Sequence, residues 1–129
     1  MIWPDLDWSE AIRRFLAHFG LGVILSVALY SLLEKFFVSP DNREGFRRAT
    51  WVGFFGGIFS VAIDLDHIVM WFGAAYTRPL HWPVFGLALI AAVFLFFMNE
   101  SGRRPPLYWF IWCVCLMVHV VEDFTLNWF

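Results

Sequence analysis

Four stretches of this chain are almost purely apolar, and polar residues fall in the gaps between them or in single stripes within them. The stretches are 15–38, 50–72, 83–98 and 107–124. With a helical rise of about 1.5 Å per residue, all four approach or exceed the roughly 30 Å of hydrocarbon in a bilayer, the third at the short end of what crosses it. In the first, His18, Gly22, Ser26, Tyr30 and Glu34 recur every fourth residue. In the second, Gly53, Gly57, Ser60, Asp64 and His67 share a face, with Gly56 beside them. Small and polar side chains lined up in this way predict faces turned towards other helices, where backbones approach closely and polar groups find partners. The third stretch has no polar side chain and is expected to be scaffold. The fourth ends in His119-Val-Val-Glu122-Asp123.

The gaps read as connections. Pro40 with Asp41-Asn42 signals a turn in 39–48, which carries Arg43, Arg47 and Arg48. Loops are expected again at 73–82, with Arg78, His81 and Trp82, and at 99–106, with Arg103, Arg104 and two prolines. The lead-in 1–14 combines Trp3 and Trp8 with Arg13-Arg14, a pairing suited to a membrane interface, and Asp7 or Ser9 is a candidate helix cap. Acidic residues precede its first basic ones, unlike a signal peptide, so the first apolar stretch is expected to be retained.

Composition turns the pattern into a class. The chain has 129 residues, 60% hydrophobic and 16% charged, with 16 Phe and 8 Trp. Its mean hydropathy is +0.67. Soluble domains are about 25% charged, and one this small has no interior able to hold so much apolar surface. The expectation is an all-α integral membrane four-helix bundle forming one domain over 1–129. A net charge of −2 gives no reason to expect nucleic acid as a partner; membrane lipids are the expected one, and self-association into homo-oligomers stays open. Cys113 and Cys115 form a C-x-C within an apolar helix and are read as core residues, the C-x-x-C of redox enzymes being absent.

The chemistry gathers at Asp64-Leu65-Asp66-His67. Ionisable groups at membrane depth are costly and usually face a bundle interior. Asp64 and His67, three apart on a helix, can serve one ion or each other, while Asp66 faces elsewhere or marks where the helix loosens. His119 and Asp123, four apart, repeat the imidazole–carboxylate pairing. Four antiparallel spans bring the start of the first, the end of the second, the second loop and the end of the fourth to one side. All four histidines, His18, His67, His81 and His119, then lie on that side. On this reading Asp64 and His119 lie about 12 Å and about 8 Å inside the ends of their spans. Basic residues set the orientation: Lys35, Arg43, Arg47, Arg48, Arg103 and Arg104 on one side, against Arg13, Arg14 and Arg78 on the other. The excess places the site outside the cytoplasm.

This order of residues resembles the membrane-bound metal-dependent hydrolases of bacterial and archaeal inner membranes. An early histidine (His18) is followed by Asp64-Leu65-Asp66-His67, by Arg78 and His81 in the next loop, and by a late H-x-x-x-D (His119, Asp123). In that family P-D-[LI]-D-H is followed by H-R-G-x-T-H-S. More distantly, the His/Asp order is similar to that of zinc-dependent phospholipase C and P1 nuclease. The chain departs from the pattern in having Ala62-Ile63 before Asp64, Arg78 and His81 one residue closer together, and Trp82 in place of the serine. The resemblance implies a multi-pass protein of a prokaryotic inner membrane, with His81 added to the ligands.

Carboxylate and imidazole donors suit zinc, or manganese as a second choice. The expected ligands are Asp64, His67, His119 and Asp123, then His18 and His81. Asp66 is expected as general base or further ligand, and Arg78 as a guanidinium that stabilises phosphoryl charge. The expected activity is hydrolysis of a phosphate ester, such as a lipid headgroup, by a metal-bound hydroxide. Two other readings stay open: a non-enzymatic membrane protein with structural Asp/His pairs, and a haem-binding electron-transfer bundle.

Overall fold

A computed structural model of the chain describes residues 8–38, 40–43, 45–64, 81–100 and 107–125. Among them there are four α-helices and no strand: α1 (Trp8–Phe37), α2 (Gly45–Ala62), α3 (His81–Glu100) and α4 (Leu107–Thr125), with a single 3₁₀ turn at Pro40–Asn42. The chain is an all-α bundle. Three stretches, Ile12–Phe37, His81–Met98 and Leu107–Thr125, are long and apolar enough to cross a membrane, which marks a membrane-spanning protein. The outward surface agrees, because Ile24, Phe36, Leu87, Ile90 and Phe94 are between 62% and 76% exposed. Such a surface is stable against lipid tails and unfavourable in water.

The helix ends differ from the sequence expectation in four places. Helix α1 begins at Trp8 rather than at 15, so Ser9 lies inside the first turn and is not the cap; Asp7 is outside the described residues. Helix α2 begins at Gly45, taking in Arg47 and Arg48, which the sequence reading puts in a loop. Long arginine side chains leave the helical backbone free to continue, since their heads reach outwards. The same helix ends at Ala62, well short of 72, so Ile63 and Asp64 lie in a turn. The Asp64 N–H donates to the Val61 carbonyl at 3.0 Å, a bond three residues back that tightens and closes the helix. Helix α3 starts at His81, not at Pro83. Proline is tolerated there because the first helical N–H groups have no acceptor within the helix.

The joint between α1 and α2 is closed by side chains. Arg43 donates to the carbonyls of Lys35 (2.9 Å) and Val38 (3.3 Å), capping the end of α1. Buried Glu34 accepts from Tyr30 Oη at 3.2 Å and from the Gly45 N–H at 3.4 Å, placing a carboxylate at the start of α2. Gly45 itself has φ +58°, a conformation that favours glycine.

The two helices then run antiparallel at backbone contact. A Cβ on Gly22 would stand 2.7 Å from the Gly56 carbonyl oxygen and 2.5 Å from Ser60 Cβ, and one on Gly56 would collide with Ser26. The small-residue stripes read from the sequence are therefore the α1–α2 seam: His18, Gly22, Ser26, Tyr30 and Glu34 are all buried, as are Gly53, Gly56, Gly57 and Ser60.

Helix α4 packs against each of the other three, and α3 packs principally against α4. The α3 seam uses Ala88 and Ala92, both buried. Trp112 stacks on Phe59 at 5.0 Å and donates from Nε1 to the Val52 carbonyl at 3.0 Å, tying α4 to α2. Ser26 and Cys115 are 3.0 Å apart and tie α4 to α1. Phe37–Phe96 and Phe96–Phe110 contacts close one end of the bundle. His18, Asp64, His81, His119 and Asp123 lie at the other.

Candidate metal centre

At that end, a face of α4 presents His119, Glu122 and Asp123, and three other segments converge on it. Asp64 arrives from the turn that closes α2, His81 from the first position of α3, and His18 from α1 one turn before Gly22. His81 Nε2 lies 2.8 Å from Asp123 Oδ2. His119 Nε2 lies 3.1 Å from Asp64 Oδ1 and 3.5 Å from Asp123 Oδ2. One ligand atom from each of Asp64, His81, His119 and Asp123 falls within 4.8 Å of all the others. His81, His119 and Asp123 are buried, and Asp64 is half-buried.

This donor set can hold a metal ion. A tetrahedral site with bonds of about 2.0–2.2 Å has edges of about 3.3–3.6 Å between its ligand atoms. Of the observed contacts, 3.5 Å falls within that range and 2.8 and 3.1 Å lie just below it, so modest rotamer changes would open the group around one ion. Two carboxylates sharing a mostly buried end of an apolar bundle repel each other, and a divalent ion offsets that repulsion directly.

Each sequence candidate now has a position. Asp64, His119 and Asp123 meet as expected, and His81 joins them, from a helix start rather than from the expected loop. His18 is buried against the group without belonging to it: its ring centroid is 4.5 Å from that of His119, and its Nε2 is 3.8 Å from Asp123 Oδ1. Asp66, His67 and Arg78 lie outside the described residues. Asp64 itself stands in the turn that closes α2 rather than within a continuing helix.

Glu122 is the residue that sequence reasoning passed over. Its Oε2 is 3.4 Å from His18 Nδ1, and both atoms are buried without a hydrogen bond. The available signal was its place three residues after His119, on the same helix face. The imidazoles of His81 and His119 each lie against a carboxylate, Asp123 at 2.8 Å and Asp64 at 3.1 Å. Comparison with protein-family models, with curated proteins and with solved structures finds no match.

Proposed function

We propose that this protein is a metal-dependent membrane hydrolase that cleaves a phosphate ester, with a lipid headgroup as the preferred substrate class. The observation that carries the reading is the convergence of Asp64, His81, His119 and Asp123 from three separate segments onto one point near the end of a lipid-facing bundle. Two imidazole nitrogens and two carboxylate oxygens favour zinc, with manganese next. A divalent ion held there would supply Lewis acidity and an activated water near neutral pH.

The protein's own groups fix the arrangement. Asp123 holds His81 in place through a 2.8 Å contact, and Asp64 does the same for His119 at 3.1 Å. The surrounding apolar helices limit water at the inner side of the site. A position at one end of the bundle suits a substrate whose phosphate lies at headgroup level. The resemblance in residue order to membrane-bound metal-dependent hydrolases supports the same reading, in which Asp66 serves as general base or further ligand and Arg78 as phosphoryl partner. The excess of basic residues on the opposite side supports an extracytoplasmic site in a prokaryotic inner membrane.

Elemental analysis of detergent-purified, extensively dialysed protein is the first test, followed by phosphate release from phospholipid micelles. Zinc or manganese near one per chain, lost in Asp64→Ala and His119→Ala together with phosphate release, is the expected result. Protein that neither contains nor takes up metal would overturn the proposal. A second reading has its own observation: the His81–Asp123 and His119–Asp64 contacts are already at hydrogen-bond distance and join three segments without an ion. It makes the cluster a structural lock, and it predicts the metal-free outcome.

A further inference from the structure

His18 is wedged between two consecutive carboxylates of α4. Its Nδ1 faces Glu122 Oε2 at 3.4 Å, and its Nε2 faces Asp123 Oδ1 at 3.8 Å. The ring is 5% exposed, and neither Nδ1 nor Glu122 Oε2 has a hydrogen-bond partner. Two buried orphans 3.4 Å apart are each other's nearest remedy: a small ring rotation lets Nδ1–H donate to the Glu122 carboxylate. That choice of tautomer leaves a lone pair on Nε2. The lone pair then faces Asp123 Oδ1 at 3.8 Å, a spacing at which an imidazole nitrogen and a carboxylate oxygen can serve one metal ion. Asp123 carries the consequence inward, because its other oxygen already touches His81 and His119.

We propose that Glu122 is a positioning residue that holds His18 as a fifth donor to the metal centre. The inference rests on the metal reading given above and adds to it a residue and a tautomer. Metal-binding histidines commonly hand their second ring N–H to a carboxylate, and loss of such a partner lowers metal affinity about 10–100-fold.

Cobalt(II) is the probe, titrated into metal-free protein in detergent and followed by its visible d–d absorption, which reports coordination number. Wild-type protein and the variants Glu122→Ala, Glu122→Gln, His18→Ala and Asp64→Ala are compared, with helix content checked by circular dichroism. Expected are a roughly 10–100-fold weaker affinity and an altered spectrum in Glu122→Ala. His18→Ala should give the same altered spectrum, and Glu122→Gln, which still accepts from Nδ1–H, should recover most of both properties. Should Asp64→Ala lose cobalt while Glu122→Ala and His18→Ala keep wild-type affinity and spectrum, the fifth donor is overturned and the four-residue centre stands. Wild-type protein that binds no cobalt overturns both. Were Glu122→Ala to lose its helix content, the Glu122→Gln and His18→Ala pair would decide: a wild-type spectrum in His18→Ala overturns the proposal.

Discussion

Asp123 faces all three imidazoles of the site. One carboxylate oxygen touches His81 and His119, and the other faces His18, so a single residue links α1, α3 and α4. Its replacement by asparagine keeps the shape and removes the charge, which separates the two readings of the cluster. If the cluster holds a metal, Asp123→Asn should weaken binding by more than the ~10–100-fold typical of an outer partner, with helix content unchanged. If it is a structural lock, the asparagine can still pair with His81, and thermal stability in detergent should fall by only about 1 kcal/mol with no metal to lose. Metal content and melting temperature, measured on the same sample, make the distinction. His119 and Asp123 were legible in sequence because a helix places residues four apart on one face. His81 was legible as a ligand only through the resemblance in residue order; its setting reads as loop, and the α3–α4 packing is what turns it towards Asp123. Glu122 was visible beside Asp123 but carried no role, because its partner, His18, is far away in the chain.

Among the elements, the α1–α2 pair carries the tightest seam. Gly56 has no room for a side chain beside Ser26, whereas a Cβ on Gly20 would meet nothing within 4 Å. Gly56→Leu should therefore force the helices apart and destabilise the bundle by about 1–3 kcal/mol or more. Gly20→Ala should be neutral or stabilising by up to about 1 kcal/mol. Thermal unfolding of both variants in detergent checks the contrast; equal effects would mean that the seam does not set stability. The four-residue stripes announced this seam plainly, since close approach needs small residues at helical spacing. Helix ends were less legible. Nothing in the apolar run at 50–72 signals a stop at Ala62, and the turn there is set by the bond from Asp64 N–H to Val61 and by the pull of His119 on the Asp64 carboxylate.

For the whole molecule, topology decides which compartment the site meets. The 3₁₀ turn at Pro40–Asn42 and the end of α4 lie at opposite ends of the bundle. In a background with Cys113 and Cys115 replaced by alanine, Asp41→Cys and Thr125→Cys should therefore react with a membrane-impermeant thiol reagent from opposite sides. The charge bias predicts labelling of Thr125→Cys from outside intact cells and of Asp41→Cys only after lysis. The reverse pattern would turn the site towards the cytoplasm, and labelling of both from one side would contradict the bundle.

Helix α4 lies against all three other helices and is the last of the four to leave the ribosome. Until it inserts, His18, Asp64 and His81 have none of the α4 partners described above, and unpaired polar groups in lipid are costly. The charged end of the bundle thus depends on α4 for its pairing. A nascent chain stalled before residue 107 carries polar side chains that lack their partners and exposes the close-packing faces that α4 would cover, the features by which membrane quality control can recognise an unfinished protein.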